Sequence, residues 1–552
     1  MMDLGAARTT ITPLPFKPAK LCNIYSQYSA ACIKGGRLSF YQFGLKMLKT
    51  PRSDLAPNTF DFENTPLVKA TGFREYDARW WFGIEGNAKP PELNLLGVEA
   101  LGLGLGTLLH EYNATRIVVG HDFRFYSQSI KKSLVLGLIA SGCEVLDIGL
   151  ALSPVAYFAQ FELDAPAVAM VTASHNENGW TGVKMGANRP LTFGPDEMSQ
   201  LKEIVLGGKF VERAGGSITY VHGMREKYID ALVGDFKVKR PIKVVAACGN
   251  GAAGAFAPDA LRRMGAEVVE MDCDLDWTFP KYNPNPEDVK MLHNMAETVL
   301  ATGADVAFGF DGDGDRCGVV DDKGEEIFAD KIGLLLARDI SKTHADATFV
   351  VDVKSTGAYE IDPVLKANGA KVDYYKTGHS YIKRRTNELN AIAGFEKSGH
   401  FFFRSPYGLG YDDGIVAAKA VLQMLDNCGG EKLSVLKQDL PRTWTSMTMA
   451  AHCDDEIKYG VVDSVVKEYQ DFATSGGEIL GTKIKDINII NGVRVTLENG
   501  SFVLVRASSN KPEIVVVVES TLSDQDMRDL FHKEVKPRLA SRPEVGGYSQ
   551  VV

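Results

Sequence analysis

The hydrophobic positions of the chain repeat one local pattern three times. A segment with helical spacing ends at a glycine, and a run of alternating apolar residues follows. The three copies are LIASGCEVLDIG around Gly142, LRRMGAEVVEMD around Gly265 and LKANGAKVDYYKTG around Gly369. Glycine just beyond a helix accommodates the left-handed backbone that commonly ends helices. The pattern therefore predicts three helix–strand units.

Another apolar strand precedes each copy and ends in small or polar residues. These strands are RIVVGHDFR near Val118, KVVAACGNGAAG near Val245 and TFVVDVKSTG near Val351. A strand, a helix and a second strand in this order form a βαβ unit with parallel strands and a right-handed crossover. The sequence thus predicts three related α/β domains, with functional sites at the carboxyl ends of their strands.

The last hundred or so residues follow a different pattern, RVTLENGSFVLVRASSNKPEIVVVVES. Asn499-Gly500 between alternating runs is a hairpin signal, and a second turn from Ser508 to Pro512 leads into a four-valine strand. We expect a C-terminal α+β domain with an antiparallel sheet. The sequence predicts three α/β domains over residues 65–222, 223–325 and 326–440, and the α+β domain over 441–552. Residues 1–64 form an N-terminal extension, for which disorder is one expectation.

Composition narrows the class of protein. The chain has 552 residues, 45% of them hydrophobic and 24% charged, which is typical of a globular protein of several domains. A net charge of -9 argues against a general nucleic-acid binder, and no long apolar run predicts a membrane span. Eight scattered cysteines without a C-x-x-C pair suggest a reduced, cytoplasmic protein rather than a disulfide framework or a zinc site.

The N-terminus has an unusual charge balance. Residues 1–52 contain eight Lys or Arg and a single acid, Asp3. An acid-poor basic leader is typical of organelle transit segments. The same stretch could instead precede a true start, since Met47 lies close before the first clear element. Both interpretations stay open, and the second is weakly favoured.

An acidic loop, DGDGDR, follows the apolar segment VAFGF. Asp311, Asp313 and Asp315 alternate with glycines, so they share a face in extended chain and can converge where the glycines curl it. Hard oxygen ligands of this kind suit Mg²⁺ or, less selectively, Mn²⁺ or Ca²⁺. An EF-hand needs Gly and Glu where this chain has Arg316 and Asp322. A solvated acidic turn is the plainer alternative, but the mutual repulsion of three carboxylates favours a bound cation.

The segment VTASHNENGWTGVKMG places Ser174 beside His175 after a short apolar run. No G-x-S-x-G elbow surrounds the serine, and adjacent side chains diverge in extended chain, so we do not expect a direct Ser–His couple. A phosphorylated serine needs no such base and carries a charge of about -1.5 to -2, which would bind a carboxylate-held Mg²⁺. The alternative is an ordinary turn serine. The separate acidic loop favours a phosphate carrier.

Five segments resemble motifs of the α-D-phosphohexomutases, and the nearest resemblance is to the bacterial phosphomannomutase/phosphoglucomutase group. The serine segment TASHNENGWTGVKMG is similar to the family's phosphoserine loop and FDGDGDR to its metal loop. GFEKSGH, residues 394–400, resembles the sugar-binding loop, and RASSNKP, residues 506–512, the phosphate-binding loop. FREYDARW, residues 73–80, is similar to an N-terminal FREYDIRG motif. The resemblance covers about residues 65–530, with all motifs in the family order.

This resemblance implies four domains around a central cleft and the reversible movement of a phosphate between O1 and O6 of a hexose, glucose or mannose. A phosphoserine would donate its phosphoryl group to the sugar monophosphate. The resulting hexose 1,6-bisphosphate would turn over in the cleft and return its other phosphate to the serine. Mg²⁺ is the implied metal, and sugar phosphates are the implied partners, with no nucleic acid, membrane or obligate protein partner.

The resemblance also assigns roles to residues by their place in the motifs. The metal ligands would be Ser174, Asp311, Asp313 and Asp315. The catalytic group would be Ser174, Lys184, Arg79, His175 and His400. The substrate-binding group would be Tyr76, Arg316, Lys354, His379, Glu396, Ser398, Arg506, Ser508, Ser509 and Asn510. Glu396 and Ser398 alternate in the sugar-binding loop, and they would bind O3 and O4, which keep their places when the sugar turns over.

Plainer interpretations stay open for several of these residues. Lys184 could be a solvated surface lysine, His400 a core histidine, and Lys354 and His379 structural residues. The segment around Arg506 could be an ordinary hairpin turn.

The motifs also depart from the family pattern in places. Ser509 and Asn510 stand at the Asn and Thr positions of the usual R-x-S-N-T-x-P, and Ala78 and Trp80 stand where Ile and Gly are common.

Two other functions remain possible from the sequence. A phosphoglucosamine mutase shares the mechanism and differs in the sugar. A catalytically silent sugar-phosphate-binding protein would be expected to have lost Ser174 or an acid of the metal loop, and neither is lost. The sequence does not distinguish glucose from mannose.

Overall fold

The computed structural model describes residues 48–509 and 511–552, and the backbone of two short strands, Cys32–Lys34 and Arg37–Ser39. Four β-sheets follow one another along the described chain. One continuous apolar core runs through the first three sheets and their helices, and a separate core lies in the fourth.

The first sheet has eight strands and a parallel centre. Strand Arg116–His121 lies between Glu144–Leu150 and Ala167–Val171 and is parallel to both. The remaining strands are Cys32–Lys34, Arg37–Ser39, Ala78–Trp81, Trp180–Gly186 and Ser217–Tyr220. The helices of this region are Phe60–Asn64, the 3₁₀ turn Ala70–Gly72, Leu95–Glu111, Ser127–Ala140, Ser153–Glu162, Pro195–Leu206 and Met224–Val233. The segment containing Ser174 leaves the carboxyl end of Ala167–Val171.

The second and third sheets are smaller and also have parallel centres. The second contains Lys243–Ala247, Glu267–Met271, Val306–Phe310, Cys317–Asp321 and Glu326–Ile327, with helices Ala257–Arg263 and Val289–Thr302 and the 3₁₀ turn Ala252–Ala255. The third contains Thr348–Asp352, Lys371–Tyr375, Ala393–Phe395 and Phe401–Phe403, with helices Ala329–Ser341, Ala358–Ile361, Pro363–Ala367, His379–Glu388, Gly414–Asn427 and Leu433–Gln438.

The fourth sheet is antiparallel, as the turn signals predict. Its strands are Trp444–Thr445, Met449–His452, Glu478–Ile479, Thr482–Asn488, Val493–Leu497, Phe502–Ala507 and Glu513–Ser520. Its helices are Lys458–Thr474, Asp524–Asp529, the π-helical segment Leu530–Val535 and Lys536–Ala540. The strands on either side of Asn499-Gly500 pair in a hairpin, which confirms that prediction.

The predicted repeat is confirmed. Gly142, Gly265 and Gly369 each lie between a helix and a strand, with φ of 87°, 91° and 69°, so each adopts the left-handed backbone that favours glycine. In all three units the two strands pair in parallel.

The six cysteines within residues 48–552 of the described chain are free thiols. No helix in that part is long and apolar enough to cross a bilayer. Met47 and most of the basic leader lie outside the described residues.

Candidate active site

Ser174 lies in the turn after strand Ala167–Val171 and is buried. Its hydroxyl donates a hydrogen bond to Oδ2 of Asp311 over 2.8 Å and lies 3.2 Å from Nδ1 of His175. The expectation that these two neighbouring side chains diverge is wrong. It assumed extended backbone, whereas Ser174 has a left-handed φ of 50°, which brings the imidazole beside the hydroxyl.

The DGDGDR loop is a tight turn between the antiparallel strands Val306–Phe310 and Cys317–Asp321. The carboxylates of Asp311, Asp313 and Asp315 are fully buried, and one oxygen of each lies within 4.8 Å of the others. The chain curls through this turn instead of running extended. A strand rather than a helix precedes it, so the EF-hand interpretation does not hold.

These carboxylates fit a bound divalent cation. Burial and the neighbouring charges of Asp313 and Asp315 raise the pKa of Asp311 to about 8. Oδ1 of Asp313 is buried without a hydrogen-bond partner among the residues that the structure describes. An oxygen left without a partner in a buried acidic cluster costs free energy that a metal ion would recover.

Lys184 lies on strand Trp180–Gly186 and points at the same cluster. Its Nζ is 2.7 Å from Oδ2 of Asp313 and also contacts Asp315. Burial lowers the pKa of Lys184, but the negative charges of Asp313 and Asp315 have the larger combined effect. They hold the pKa of Lys184 well above its usual range. Since its side chain is only 2% exposed, the surface-lysine interpretation is wrong.

The loop of residues 394–400, which the sequence predicts to bind sugar, contacts the acidic loop through His400. Nδ1 of His400 is 2.9 Å from Glu396, and Nε2 is 3.4 Å from Asp315. Burial opposes protonation, yet these carboxylates raise the pKa of His400 to about 9. The hydroxyl of Ser398 donates to Glu396 over 3.3 Å, so the two side chains lie on one side of the loop as their alternation predicts.

A buried charge pair lies behind His400. Nζ of Lys383 is 2.8 Å from Asp412, and Asp412 is 3.8 Å from Nδ1 of His379 and 4.0 Å from Nε2 of His400. His379 is buried, and its ring packs against Tyr76 with 4.8 Å between centroids. Sequence reasoning missed Lys383 and Asp412. The spacing of four between His379 and Lys383, which puts both on one helix face, was the available signal.

Arg124, Asp122 and Arg79 hold the turn that contains Ser174 in place. Arg124 donates to the carbonyl oxygen of Ser174 over 3.0 Å and pairs with Asp122, which in turn accepts a 2.9 Å hydrogen bond from the hydroxyl of Thr172. Arg79 donates to the carbonyl of Ala173 over 2.8 Å. The hydrophobic pattern marks GHDFR only as the end of a strand. Its polar residues at the carboxyl end of a central strand were the signal for this role.

Ser153 is another residue that the motifs did not indicate. It begins helix Ser153–Glu162, and its hydroxyl donates to Oδ2 of Asp313. Its backbone N–H also donates to the carbonyl of Asp313 over 2.9 Å. These two bonds fix the middle of the acidic loop against the first sheet.

The turn that the sequence predicts to bind phosphate contacts the first region of the chain from the fourth sheet. The hydroxyl of Ser509 is 3.2 Å from that of Tyr76, and Nε of the buried Arg506 donates to Asn491 over 2.7 Å. Ser508 lies in the same turn, whereas Asn510 lies outside the described residues.

Arg316 and Lys354 complete the predicted set. Arg316 is 3.2 Å from Glu287 and 3.9 Å from Asp311. Lys354 follows strand Thr348–Asp352 and is buried. Its positive charge, after the contacts from His400, helps to lower the pKa of Glu396 against the effect of burial. Direct contacts therefore link predicted site residues of all four regions, from Ser174 and Asp311 through His400 and Glu396 to Tyr76 and Ser509.

Residues 74–76 connect three parts of the molecule. Arg74 is 2.8 Å from Asp455, and Glu75 accepts hydrogen bonds from the hydroxyls of Tyr381 and Tyr459. With the contact between Tyr76 and Ser509, this tripeptide joins the first region of the chain to the third and fourth.

Comparison with known families identifies four successive parts of the chain. Models described as phosphoglucomutase/phosphomannomutase alpha/beta/alpha domains I, II and III match residues 73–212, 226–324 and 328–444, and the model of the C-terminal domain matches residues 452–536.

Curated relatives and a solved structure agree. A phosphomannomutase/phosphoglucomutase of Pseudomonas syringae is 31% identical over 473 residues, covering 85% of this chain and 96% of the relative. A phosphoglucomutase of Neisseria meningitidis is 30% identical, covering 86% and 97%. The crystal structure of a phosphoglucomutase/phosphomannomutase family protein from Burkholderia thailandensis superposes with a TM-score of 0.74 at 28% identity, covering 87% of this chain and 99% of the other.

Proposed function

Because the chain belongs to the phosphoglucomutase/phosphomannomutase family and is a hexose phosphate mutase, we propose that Ser174 carries the phosphoryl group that it exchanges between O1 and O6 of glucose or mannose phosphates. The observation that carries this proposal is the hydrogen bond from Ser174 to Asp311, which places the hydroxyl against a buried cluster of three carboxylates. A phosphorylated serine at this position would meet a metal held by those carboxylates.

The first step transfers the phosphoryl group from Ser174 to the free hydroxyl of a hexose monophosphate. The P–O bond to the serine breaks and a P–O bond to the sugar forms. The sugar hydroxyl gives up its proton, and the departing oxygen of Ser174 takes one up, so the serine hydroxyl is restored. The hexose 1,6-bisphosphate turns over in the cleft, and the reverse transfer returns its other phosphate to Ser174. In-line transfer of this kind depends on position and on neutralisation of charge rather than on covalent chemistry by the protein.

Asp311, Asp313 and Asp315 would hold Mg²⁺, which supplies charge neutralisation at the transferring group. Lys184 is held protonated by two of these carboxylates, so we assign it to stabilising negative charge rather than to accepting a proton. Arg79 positions the turn and adds positive charge beside it.

Proton movement is assigned to two histidines. Burial and the charges of Arg316 and Arg79 hold the pKa of His175 well below its usual range, so its neutral ring can accept the serine proton when the phosphate returns. His400 carries a proton between Glu396 and Asp315, so we assign it to donating that proton to the sugar oxygen when its phosphate leaves, rather than to accepting one.

We propose two sets of substrate contacts. Glu396 and Ser398 would bind O3 and O4 of the sugar, with His379 and Lys354 beside them. The distal phosphate would be gripped by Arg506 and cradled by the residues of its turn, which are Ser508, Ser509 and Asn510. Arginine binds phosphate through two hydrogen bonds, and hydroxyl and backbone N–H groups complete such a site. Tyr76 and Arg316 would line the cleft between the two sets.

We also propose the domain boundaries predicted from the sequence, a cytoplasmic location and no obligate protein partner.

The decisive experiment is a coupled assay on glucose 1-phosphate and mannose 1-phosphate with wild-type protein and Ser174→Ala, alongside intact-mass analysis of both. We expect the variant to lose turnover and the wild type to carry one phosphoryl group that maps to Ser174. Undiminished turnover in the variant, or a phosphate on another residue, would remove the carrier assignment.

One relative, from Methanothermobacter thermautotrophicus, is named a probable phosphoglucosamine mutase and is 31% identical over 74% of this chain. Glucosamine 1-phosphate is therefore a third substrate in the same assay. Turnover of glucosamine phosphate in preference to both hexose phosphates would change the substrate and leave the mechanism in place.

A further inference from the structure

Two thiols lie side by side at the carboxyl edge of the second sheet. Cys248 follows strand Lys243–Ala247, and Cys273 follows the neighbouring parallel strand Glu267–Met271. The two Sγ atoms are 3.5 Å apart, and the thiol of Cys273 is also 3.2 Å from the carbonyl oxygen of Ala246. Cys248 is fully buried, whereas the exposed fraction of Cys273 is 9%.

The loop that begins at Cys248 packs directly under the acidic loop. A Cβ on Gly251 would lie 3.2 Å from Cα of Gly312, and the N–H of Ala252 donates to the carbonyl of Gly312 over 3.4 Å. A Cβ on Gly312 would in turn lie 2.6 Å from the carbonyl oxygen of Ser174. Three segments of backbone are therefore stacked with no space between them, and Cys248 lies at the base of this stack.

The loop after Cys273 is tied to the same stack. Asn250 donates its backbone N–H to the carbonyl of Asp272 over 2.7 Å, and the carboxylate of Asp272 accepts a 2.5 Å hydrogen bond from the hydroxyl of Tyr282. The next residue, Asn283, donates its side-chain N–H to the carbonyl oxygen of His175. A change at either thiol thus has a short route of direct contacts to Ser174 and His175.

We propose that Cys248 and Cys273 are a site of reversible oxidation to a disulfide by a hydroperoxide, and that the disulfide lowers mutase activity by moving the backbone stack under the acidic loop. A disulfide requires sulfur atoms about 2.05 Å apart, so the two sulfur atoms must approach by about 1.5 Å. Because the surrounding interior is tightly packed, part of this shift is passed to the backbone of the two loops. In an active site, a displacement of about 1 Å can reduce the rate by a factor of about 100.

The chemistry begins at the more exposed thiol. The thiolate of Cys273 attacks an oxygen of the hydroperoxide, the O–O bond breaks, and the departing hydroxide or alkoxide takes a proton to leave as water or an alcohol. Cys248 then attacks the sulfur of the resulting sulfenic acid, the S–S bond forms, and water leaves. The two thiols lose two electrons and the peroxide gains them. The hydrogen bond from Cys273, followed by burial, raises the pKa of the Cys248 thiol, which is consistent with Cys273 reacting first.

The test is treatment of the purified full-length protein with hydrogen peroxide, followed by peptide mapping without reduction and by the mutase assay before and after dithiothreitol. We expect a cross-linked peptide joining Cys248 to Cys273 and at least about a tenfold loss of turnover that dithiothreitol reverses. The loss of turnover rests on the proposed function, whereas the cross-link does not.

Cys273→Ser is the matched variant, because serine keeps a donor toward the carbonyl of Ala246 and cannot form the cross-link. It should retain basal turnover and resist peroxide, while Cys143→Ser, which changes a buried thiol in the first sheet, should remain as sensitive as wild type. If Cys273→Ser does not fold, the peptide map and the reversal in wild type decide the question.

The proposal is overturned by both thiols remaining free while turnover falls, by a cross-link with unchanged turnover, or by a folded Cys273→Ser that loses activity like wild type. If untreated protein has no mutase turnover, the proposed function fails separately. The effect of the cross-link is then measured as loss of the thermal stabilisation that Mg²⁺ gives the reduced protein.

Discussion

Ser174 and Asp311 belong to different sheets, yet the serine hydroxyl donates a 2.8 Å hydrogen bond to Oδ2 of the aspartate. Each residue lies just beyond the carboxyl end of a strand, and the two turns meet across the boundary between the first two units. Neither unit contains both the proposed phosphate carrier and its proposed metal ligands. The reaction therefore depends on how the units pack as much as on either motif.

Neutralising one acid of the metal loop should weaken the response to metal. For Asp313→Asn we expect the Mg²⁺ concentration that gives half-maximal turnover to rise at least about tenfold, because one anionic oxygen is lost from a buried three-carboxylate site. The measurement is turnover against Mg²⁺ after removal of metal with EDTA. Asp322→Asn is the control. Asp322 lies outside the acidic cluster and accepts hydrogen bonds from Ser434, so this variant should leave the Mg²⁺ response unchanged.

Loss of the brace under the serine turn should reduce phosphorylation of the carrier. Arg124 donates to the carbonyl oxygens of Ser174 and Asn176, so Arg124→Ala removes both contacts and should lower kcat by about 10–100-fold. Intact mass should show a smaller phosphorylated fraction. The melting temperature should also fall, because Asp122 loses its buried partner, so turnover is compared well below the melting temperature of the variant. Arg124→Lys cannot reproduce the planar fork and should recover little.

Arg189→Ala provides the comparison, since this half-exposed arginine of the same region pairs with the exposed Asp164. An equal loss of kcat in both variants would contradict the bracing role.

Opening the contact between residues 74–76 and the fourth sheet should affect binding more than chemistry. Arg74 and Asp455 form a 2.8 Å ion pair that is partly exposed, and such pairs contribute up to about 1 kcal/mol. We expect Arg74→Ala and Asp455→Ala each to raise KM by up to about fivefold with little change in kcat. Asp455→Ala also loses a 2.7 Å contact with Lys458, so the double variant should be no worse than Asp455→Ala. Additive effects of the two changes would show that Arg74 and Asp455 do not act as a pair.

A buried acid outside the reaction provides a pH test of stability. Burial raises the pKa of Asp413 to about 7, although Tyr228 and the helix N–H groups of Ile415 and Val416 oppose the shift. Between the unfolded value near 4 and this folded value, the folded protein binds more protons than the unfolded one. The free energy of unfolding therefore falls as pH rises through this window.

Asp413→Asn removes this ionisation and keeps an oxygen that can cap helix Gly414–Asn427. Relative to wild type, its melting temperature should rise by about 2 °C or more between pH 5 and pH 8, and the two proteins should converge at lower pH. A parallel pH dependence of both melting temperatures would show that Asp413 is already ionised at pH 5.

The local patterns predicted the sheets well because each depended on nearby residues. The three glycine-ended helices and the Asn499-Gly500 hairpin are set by backbone geometry within about ten residues. The metal loop was equally local, since three acids and two glycines stand in one hexapeptide. For the same reason the strand before Asp311 was enough to reject an EF-hand.

Other features depended on tertiary contacts that no local pattern contains. The left-handed backbone of Ser174 brought His175 beside the hydroxyl, against the expectation for extended chain. Lys184 was not recognisable as buried, because its partners Asp313 and Asp315 lie about 130 residues away. Ser153 gave no signal at all, since serine at the start of a helix is common without any function.

The position of Lys184 has a consequence for the protein when metal is scarce. Its ammonium group contacts two of the three acids that would hold the cation, so it acts as an internal counterion for the cluster. When the cation leaves, the three carboxylates can stay together, because the charge of Lys184 offsets part of their mutual repulsion. A protein that folds without metal can therefore keep the three carboxylates close to the arrangement that binds a cation. Metal binding then needs little rearrangement of the acidic loop.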